Sequence, residues 1–355
     1  MTMPARPMPA RPLPARPLPG ASAALAHRLA PQHVDANAGE RPITVDQTNY
    51  SVVVGEAVVV KWLVIPVPAP HPGTRLLAHL RAVGFTAMPE FHGELIDDGS
   101  VHAIVTGFVA GAFDGWDWCV DELEQSLLND PLLTRPLQSV ERIATMAAEL
   151  HLALATPSAI ITDPVGEADL VIEADRGEAL FGEALHEVGG DAAALVATHR
   201  AQIADALQQL RAARPGRVHP IHGDLHVGQV LRAGDTLVFN DFDGDPVAAA
   251  DHRALRRSPL IDLAALVQSF DHVGRIVVRR RLPDMQAAVD RYIHMAYEAA
   301  CAAYGTALGM KPANVESQLY ALRIVQELHE MVFAHRSLPR WMYVPHAALA
   351  TLLAG

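Results

Sequence analysis

The chain has 355 residues, of which 50% are hydrophobic and 5% aromatic, and its formal net charge is −12. This length is enough for two domains with a sizeable core. Nucleic-acid-binding proteins depend on dense Lys and Arg, whereas this sequence has no basic stripe beyond the short cluster Arg279–Arg281. We therefore predict no nucleic-acid partner.

The sequence also argues against a membrane protein. No uninterrupted apolar run approaches the roughly 20 residues that span a bilayer, and the negative charge would repel an anionic membrane surface. The two cysteines, Cys119 and Cys301, lie far apart, which is typical of a reducing cytosol rather than of a disulfide framework. We predict a cytoplasmic protein; the sequence does not predict its oligomeric state.

The first 20 residues repeat with a period of five, with PARPM from Pro4 and PARPL from Pro9 and Pro14. Proline at every second or third position blocks both helix and sheet. Residues 1–20 are therefore predicted to be a disordered or polyproline-II-like tail. Its arginines would suit an acidic partner, but an unstructured extension with no chemical role is the favoured interpretation.

Residues 21–110 are predicted to form an N-terminal cap and a β-rich nucleotide-binding lobe. A short helix, Ala21–Leu29, precedes two strands that are joined by a turn at Gly55-Glu56. Residues Thr74–Val83 have apolar side chains at helical spacing and form the second predicted helix. The predicted strands lie in NYSVVV, AVVVKWLVI, MPEFHGEL and HAIVTGFV.

Residues 111–355 are predicted to form a helical catalytic and acceptor-binding lobe. The short strands predicted there are His219–Ile221, Val230–Leu231 and Leu237–Asn240. The predicted helices are Leu137–Leu154, Ala192–Ala213, a helix from the Ser258-Pro259 cap to about Val273, Asp284–Tyr304, Pro312–His335 and His346–Leu353. A β-rich front lobe joined near Thr106–Phe113 to a helical rear lobe is the α+β plan of two-lobed protein-kinase-like folds.

Three polar residues between His222 and Pro246 have the spacing that phosphoryl transfer requires. That reaction needs a carboxylate that orients the acceptor hydroxyl and takes its proton, together with ligands for metal ions across the phosphates. Gln229 follows Asp224 by five residues, and Asp241 follows Gln229 by twelve. The strand-like VLRAGDTLVFN between Gln229 and Asp241 predicts a hairpin that brings Asp241 back to Asp224. The segment therefore predicts a kinase centre.

The same segment resembles the maltokinase branch of the aminoglycoside-phosphotransferase-like kinases in HGDLHVGQVL, DFDGDP and RRSPLIDLAALVQSFDHV. The resemblance extends to VDQTNYSVVVGEAVVVKW, GAFDGWDW and ELHEMVFAHRSLPRWMYVP, and so covers most of residues 43–345. It implies a two-lobed kinase that uses ATP and Mg²⁺.

By this resemblance, Asp224 is the catalytic base, and Gln229 and Asp241 hold magnesium. Lys61, in the run VVVKW, matches the lysine that contacts the nucleotide phosphates. The adenine base would meet backbone groups of the crossing segment Thr106, Gly107, Phe108 and Val109.

The partner of Lys61 is an open point. Active protein kinases pair this lysine with a helix carboxylate, but no acidic residue occurs between Lys61 and Glu90, so the helix Thr74–Val83 offers none. Either another acid supplies the pair or the lysine acts alone. Between Asp46 and Lys61 the only glycine is Gly55, so a glycine-rich phosphate loop is missing, as in maltokinase-like enzymes.

Two further features of the central segment have alternative interpretations. His222 and His226 stand four residues apart, a spacing that suggests zinc only on a helix, and Gly223 and Gly228 disfavour a helix there. By the resemblance, His222 braces the loop, as its counterpart does in related kinases. Asp262, in the first turn of its predicted helix, either complements the helix dipole or braces the active site.

The acceptor is predicted from the short N-terminal region and from one late helix. Maltokinases have a longer cap before the VVVGE hairpin, and among their relatives the actinobacterial glucosamine kinases fit this shorter chain best. The acceptor pocket of maltokinases uses a Lys-x-x-Tyr-Glu pattern, and the matching positions here are Gln326, His329 and Glu330.

Glutamine at position 326 removes a positive charge that would repel an ammonium group. Glu330 remains and would attract one, and further negative charge is expected from Glu327, Asp243 and Asp245. Trp341 is predicted to stack on a sugar face. These residues favour glucosamine as the substrate. The 6-hydroxyl is the expected acceptor because this primary hydroxyl is the least hindered. A maltose or glucose kinase, an aminoglycoside-antibiotic phosphotransferase and a non-catalytic nucleotide-binding regulator are the alternatives.

Overall fold

The computed structural model describes residues 17–43, 49–245, 256–309 and 316–354. Several predicted features lie outside these ranges, namely residues 1–16 of the tail, Asp46, Pro246 and the first residues of the helix Pro312–His335. The described residues belong to two compact units. One lies within Met1–Ala78 and Pro89–Ala110, the other within His79–Met88 and Gly111–Gly355.

The first unit contains a five-stranded antiparallel sheet in the order β1-β2-β3-β5-β4. Its strands are β1 (Glu40–Pro42), β2 (Tyr50–Val54), β3 (Val58–Pro68), β4 (Phe91–Asp97) and β5 (Ser100–Gly107). Helix α1 (Ala21–Leu29) precedes the sheet, and α2 (Pro72–Ala82) lies between β3 and β4. Leu25 and Ala26 of α1 pack into one core cluster with Val52, Val60 and Val105 of the sheet. The three-residue β1 was not predicted because its sequence, ERP, has no strand pattern.

Strand β3 places Lys61 on the face of the sheet opposite α1. Side chains of a strand point alternately to its two faces, and Val60 belongs to the core cluster with α1. In the sheet register, Lys61 stands opposite Ile104, and Ile104 stands opposite Glu94. A carboxylate therefore lies in the same row and on the same face as Lys61, on a strand rather than on the helix where protein kinases carry it.

The second unit is mainly helical. The α-helices that follow α2 in the chain all belong to this unit. They are α3 (Gly115–Asn129), α4 (Thr134–Leu154), α5 (Val171–Glu183), α6 (Gly190–Thr198), α7 (Arg200–Arg211), α8 (Leu260–Arg280), α9 (Gln286–Leu308), α10 (Glu316–Ser337) and α11 (Tyr343–Ala354). Two small hairpin sheets pair β6 (Gly166–Ala168) with β7 (Gly216–Val218) and β8 (Val230–Ala233) with β9 (Thr236–Phe239). None of the helices in the described ranges has the length and apolar character needed to cross a membrane.

Two predicted elements differ from the structure in the region before the central loop. The single helix Ala192–Ala213 is in fact α6 and α7, which are separated at His199, where ψ is 20° and the ring bonds the Leu195 carbonyl. No glycine or proline marks this break, so the apolar pattern runs through it. The strand predicted at His219–Ile221 lies earlier, at Gly216–Val218, and His219 only bridges to Arg257.

Helix α8 is longer than predicted because Gly274 does not end it. A Cβ at this position would lie 2.9 Å from Val289 and 3.1 Å from Ile293 of α9. Glycine is therefore needed here for the close approach of two helices, and α8 continues to Arg280 with buried residues as far as Val277. A glycine within an apolar helical pattern can mark helix packing as well as a helix end.

Candidate active site

The segment of residues 222–229, called here the HGD loop, is held at its start by one buried carboxylate. Asp262, in the first turn of α8, is 1% exposed; its two oxygens accept the amide protons of His222 and Gly223, each at 2.8 Å. Gly223 has a φ of 83°, in the left-handed region that favours glycine. Of the two interpretations of Asp262, the structure supports the bracing role.

His151 of α4 also holds Asp262, and the sequence did not predict it. Its Nε2 lies 3.0 Å from Asp262 Oδ2, and its Nδ1 lies 2.7 Å from the Tyr304 hydroxyl. Burial alone would raise the pKa of Asp262, but the hydrogen bond and charge interaction with His151 hold this pKa below its ordinary value. Asp262 is therefore a fixed anion at neutral pH, tied to helices α4 and α9 as well as to the HGD loop.

His222 braces the HGD loop against the hairpin, as predicted. Its Nε2 lies 2.9 Å from the Asn240 carbonyl, and since a carbonyl only accepts, Nε2 carries the proton. Burial lowers the pKa of His222, which keeps the ring neutral. Among the described residues, neither His222 nor His226 belongs to a cluster of three possible metal ligands.

The hairpin of β8 and β9 forms as predicted and brings Asp241 back to the HGD loop. The Asn240 amide donates to the Gln229 carbonyl at 2.8 Å. Asp241 follows with a φ of 56°, an uncommon value for a residue with a side chain. The Gln229 amide Nε2 lies 3.5 Å from Asp224 Oδ2. The three residues with kinase spacing therefore converge.

Asp224 lies in an acidic surrounding. Burial raises its pKa well above the ordinary value, and the charges of Asp245, Asp241 and Glu330 raise it further. His226 Nε2 lies 3.8 Å from Asp224 Oδ2. Burial lowers the pKa of His226 to about 4, so this ring adds no positive charge at neutral pH.

A cavity of about 420 Å³ opens beside Asp224, within the second unit. Its lining residues include four acids, two arginines and two tryptophans, so acids outnumber arginines: Asp117, Asp224, Asp245, Glu330, Arg280, Arg281, Trp116 and Trp341. This volume suits a monosaccharide, and indole rings offer the apolar faces on which sugar rings stack.

The carboxylate of Glu330 is held in place by two donors. Gln326 Nε2 lies 3.2 Å from Glu330 Oε1, and the side chain of Trp341 also donates a hydrogen bond to Glu330. Burial nevertheless raises the pKa of Glu330. A third acid, Asp245, accepts from Arg176 at 2.6 Å and lies 3.8 Å from His329. A cation in this cavity would restore the charged form of acids whose pKa is raised.

The predicted acceptor residues fall into two groups. His329, Glu330 and Trp341 line the cavity. Gln326 and Asp243 are not among its lining residues, and the Gln326 side chain donates a hydrogen bond to Glu330. The predicted nucleotide residues Lys61, Thr106, Gly107 and Val109 all belong to the first unit.

Sequence reasoning missed Trp116 and understated Asp245. Trp116 is the second residue of α3, which Asp114 caps by accepting from the Trp116 and Asp117 amides. The segment GAFDGWDW carries the family resemblance, but nothing in it marks this tryptophan as a cavity residue. Trp116 is positioned by the close approach of Gly115 to Val227. This packing is not visible in the local sequence pattern.

Behind the cavity, the Trp116 indole stacks against His272, with ring centroids 6.4 Å apart. His272 Nε2 lies 2.8 Å from Glu327 Oε1, and both side chains are buried. Burial lowers the pKa of His272, but the charge of Glu327 and its hydrogen bond outweigh this and raise the pKa to about 9, with smaller contributions from Glu330 and Asp271. A buried ion pair therefore supports the cavity wall.

This pair predicts a pH-dependent stability. Because the folded pKa of His272 lies above its ordinary 6.5, the pair stabilises the fold fully below pH 6.5, and this stabilisation is lost as the pH rises through 9. We expect the difference in unfolding free energy between the wild type and Glu327→Gln to shrink by about 3 kcal/mol over this range. Urea unfolding at several pH values measures it, and a constant difference would contradict the assignment.

The chain can now be compared with known proteins. No protein-family model matches it. A curated glucosamine kinase of Streptacidiphilus jiangxiensis is 37% identical over 326 residues, which cover 89% of this chain and 74% of the relative. A glucosamine kinase of Mycolicibacterium smegmatis is 36% identical over 329 residues, which cover 89% and 80%. The chain belongs to the glucosamine kinase family.

Solved structures agree with membership of the glucosamine kinase family. A glucosamine kinase in complex with glucosamine, ADP and inorganic phosphate matches with a TM-score of 0.80 and 33% identity, covering 95% of this chain and 84% of that chain. Another crystal form of a glucosamine kinase matches with a TM-score of 0.82 and 32% identity, covering 96% and 84%. The predicted α+β, two-lobed kinase-like fold and the predicted class of enzyme, a sugar kinase, are confirmed.

Proposed function

We propose that this protein phosphorylates D-glucosamine with ATP, giving glucosamine 6-phosphate and ADP. The observation that supports this best is the cavity in which Asp224 shares the walls with Asp245, Glu330 and two indole rings. Its relatives are glucosamine kinases at 36–37% identity, and a structural neighbour is a complex with glucosamine and ADP. Because ATP is an intracellular substrate, we place the reaction in the cytoplasm.

The acidic walls explain a preference for an amino sugar. The acids Asp224 and Glu330 both have raised pKa values, because burial and neighbouring negative charge disfavour their anions. The ammonium group of glucosamine supplies an opposite charge, whereas the hydroxyl of glucose at the same carbon does not. The rings of Trp116 and Trp341, 5.6 Å apart and nearly perpendicular, offer two faces to the sugar.

In the proposed reaction, Asp224 orients the acceptor hydroxyl and takes its proton. The hydroxyl oxygen forms a bond to the γ-phosphorus as the bond from that phosphorus to the bridging oxygen of ADP breaks, and ADP leaves with the electron pair. The raised pKa of Asp224 favours this proton transfer, since a more basic carboxylate is a better acceptor. His226 and Gln229, which lie 3.8 Å and 3.5 Å from Asp224 Oδ2, orient the carboxylate.

Magnesium fits the two residues at the open end of the hairpin, where Gln229 precedes β8 and Asp241 follows β9. The Gln229 and Asp241 side chains offer amide and carboxylate oxygens, which are the ligands that Mg²⁺ prefers, and the hydrogen bond from the Asn240 amide to the Gln229 carbonyl holds the two residues together. We propose that Gln229 and Asp241 hold the ion, which when bound neutralises charge on the phosphates.

The proposed nucleotide contacts come from the first unit. Lys61 is assigned to the phosphates, and Thr106, Gly107 and Val109 to the adenine base. The Gly107 amide already donates to the Glu90 carbonyl at 2.8 Å, and the Phe108 amide donates to the Ala57 carbonyl at 2.8 Å. We therefore assign the donor contact with adenine to the Val109 amide.

A coupled assay of ADP release tests the proposed function. The purified protein is supplied with ATP, Mg²⁺ and, in separate reactions, glucosamine, glucose, maltose and a panel of aminoglycosides. We expect the highest kcat/KM with glucosamine. Fast turnover with maltose or with an aminoglycoside but not with glucosamine would overturn the substrate assignment, and no turnover with any of them would favour a non-catalytic nucleotide-binding protein.

The role of Glu330 is tested by Glu330→Gln, which removes a negative charge at nearly constant shape. We expect KM for glucosamine to rise about tenfold, equivalent to about 1.4 kcal/mol, while KM for glucose stays within about twofold. The matched control is Glu298→Gln on the exposed surface of α9, where the carboxylate lies 3.5 Å from the exposed His294. Equal effects of Glu330→Gln on KM for the two sugars would show that the charge of Glu330 does not discriminate in favour of the amino group.

A further inference from the structure

We propose that His33, Glu90 and His92 form a binding site for a divalent transition-metal ion, with Zn²⁺ as the best fit. The three residues lie in the first unit, apart from the residues assigned to magnesium. Each offers one ligand atom, and these atoms all lie within 4.8 Å of one another. Within the described ranges, this is the one group of three or more His, Cys, Asp or Glu side chains whose possible ligand atoms lie this close together.

Two separate parts of the unit bring the three side chains together. His33 lies in the turn after α1, where its amide donates to the Ala30 carbonyl at 3.0 Å. Glu90 directly precedes β4, and His92 is the second residue of that strand. The His33 and His92 rings are 4.8 Å apart between centroids. Residues so far apart in sequence meet here because the turn after α1 and the start of β4 are neighbours in the fold.

The distances suit a small ion after a slight closure. His33 Nε2 lies 3.6 Å from Glu90 Oε2, and His92 Nδ1 lies 4.0 Å from Glu90 Oε1. Tetrahedral zinc with bonds of about 2.0–2.2 Å holds its ligand atoms about 3.3–3.6 Å apart. The Glu90 side chain is 54% exposed and that of His33 is 37% exposed, whereas that of His92 is 3% exposed. The His92 ligand is thus enclosed, and the two exposed side chains can rotate by the ångström or so that closure from a separation of up to 4.8 Å requires.

The donor set selects the type of metal. Two imidazole nitrogens and one carboxylate oxygen are typical ligands of zinc and related transition metals, whereas Mg²⁺ and Ca²⁺ prefer oxygen ligands. Three protein ligands also leave a fourth position for water. This site should therefore bind Zn²⁺ or Co²⁺ in the presence of millimolar Mg²⁺.

A metal at this site would tie the turn after α1 to β4. The Glu90 carbonyl accepts the Gly107 amide, and Phe91 pairs with Thr106. The ligands therefore adjoin the strand β5 that ends at the proposed adenine contact. Binding to the folded but not the unfolded chain should raise the apparent unfolding temperature.

Titration calorimetry with Zn²⁺ on the full, tag-free chain in a Mg²⁺-containing buffer tests the proposal. We expect one strong site per chain, and we expect His33→Ala and Glu90→Gln to weaken it by about tenfold or more. Both positions are exposed, so both variants should fold. The matched control is His294→Ala, which removes an exposed histidine that also faces a glutamate, Glu298, at 3.5 Å. The affinity of His294→Ala for Zn²⁺ should equal that of the wild type.

Visible absorption of the Co²⁺-loaded protein provides a second measurement, because ligand loss changes the d–d bands directly. We expect the bands to change in His92→Asn, provided that circular dichroism shows the native helix content. No strong zinc site in the wild type would overturn the proposal. So would strong binding that neither His33→Ala nor Glu90→Gln weakens, since the ion would then lie elsewhere, for example at the HGD loop.

Discussion

Replacing Asp224 by asparagine is expected to lower kcat for glucosamine phosphorylation by about 10³-fold, within the range that positioned general bases contribute. The change removes the proton acceptor and keeps the shape of the side chain. KM for glucosamine should change much less, because the cavity walls around it are preserved. Steady-state kinetics with ADP release as the readout measures both constants.

The same variant should be more stable than the wild type. The pKa of Asp224 is raised by burial and by Asp245, Asp241 and Glu330, so at neutral pH its anion destabilises the folded state. Asparagine has no such charge. A loss of turnover together with a higher apparent unfolding temperature would separate a chemical role from a folding defect, as expected where activity and stability oppose each other.

A matched control for Asp224→Asn is Asp235→Asn. Asp235 lies in the exposed turn between β8 and β9, on the same hairpin that returns Asp241 to the site. This variant should keep wild-type kcat and stability. If Asp224→Asn retained kcat within about tenfold of the wild type, the proposed proton transfer would have to be assigned to another group.

The second large effect is expected from Gly115→Ala. A Cβ on Gly115 would lie 1.7 Å from the Val227 carbonyl oxygen and 2.5 Å from its carbonyl carbon. Both atoms belong to the backbone of the HGD loop, so no side-chain rotation relieves the contact. Either α3 or the loop must move, and we expect a cost of about 3 kcal/mol or more, the upper range for overpacking.

Activity should fall with stability in Gly115→Ala. Val227 lies between His226 and Gln229, and its amide donates to the Ser269 hydroxyl at 3.0 Å, so a shift of this segment displaces residues that orient Asp224. We expect kcat/KM to fall by about 10²-fold, as misplacement by about an ångström can cause. Thermal unfolding and steady-state kinetics give the two values.

Gly182→Ala provides the contrast for Gly115→Ala. Gly182 lies within α5, and a Cβ there would meet no heavy atom within 4 Å. Alanine should therefore stabilise the protein slightly, by about 0.5–1 kcal/mol, because it lowers the entropy cost of the helix. Wild-type stability in Gly115→Ala would mean that α3 does not pack on the HGD loop as described.

The convergence of the proposed catalytic and metal-binding residues was predictable from sequence because it depends on local geometry. Asp224, Gln229 and Asp241 are fixed by one loop and one short hairpin, and the strand-like residues between them predicted that hairpin. Such features need only a dozen or so neighbouring residues, so the sequence pattern is sufficient.

The parts that were missed depend on contacts between distant residues. His151 meets Asp262 from a helix more than a hundred positions away, and no local pattern marks it. Trp116 lines the cavity because Gly115 allows α3 to approach Val227. Glu94 shares a sheet face with Lys61 only through the register across β5. These arrangements follow from tertiary packing, which composition and periodicity do not specify.

The central claim is that the acidic cavity beside Asp224 directs phosphate from ATP to an amino sugar. The most direct test is a competition in which glucosamine and glucose are present at equal concentrations with limiting ATP and Mg²⁺, and the products are identified by nuclear magnetic resonance. The predicted result is glucosamine 6-phosphate as the main product, formed in step with ADP. Glucose phosphate as the main product, or ATP consumption without a phosphorylated amino sugar, would contradict it.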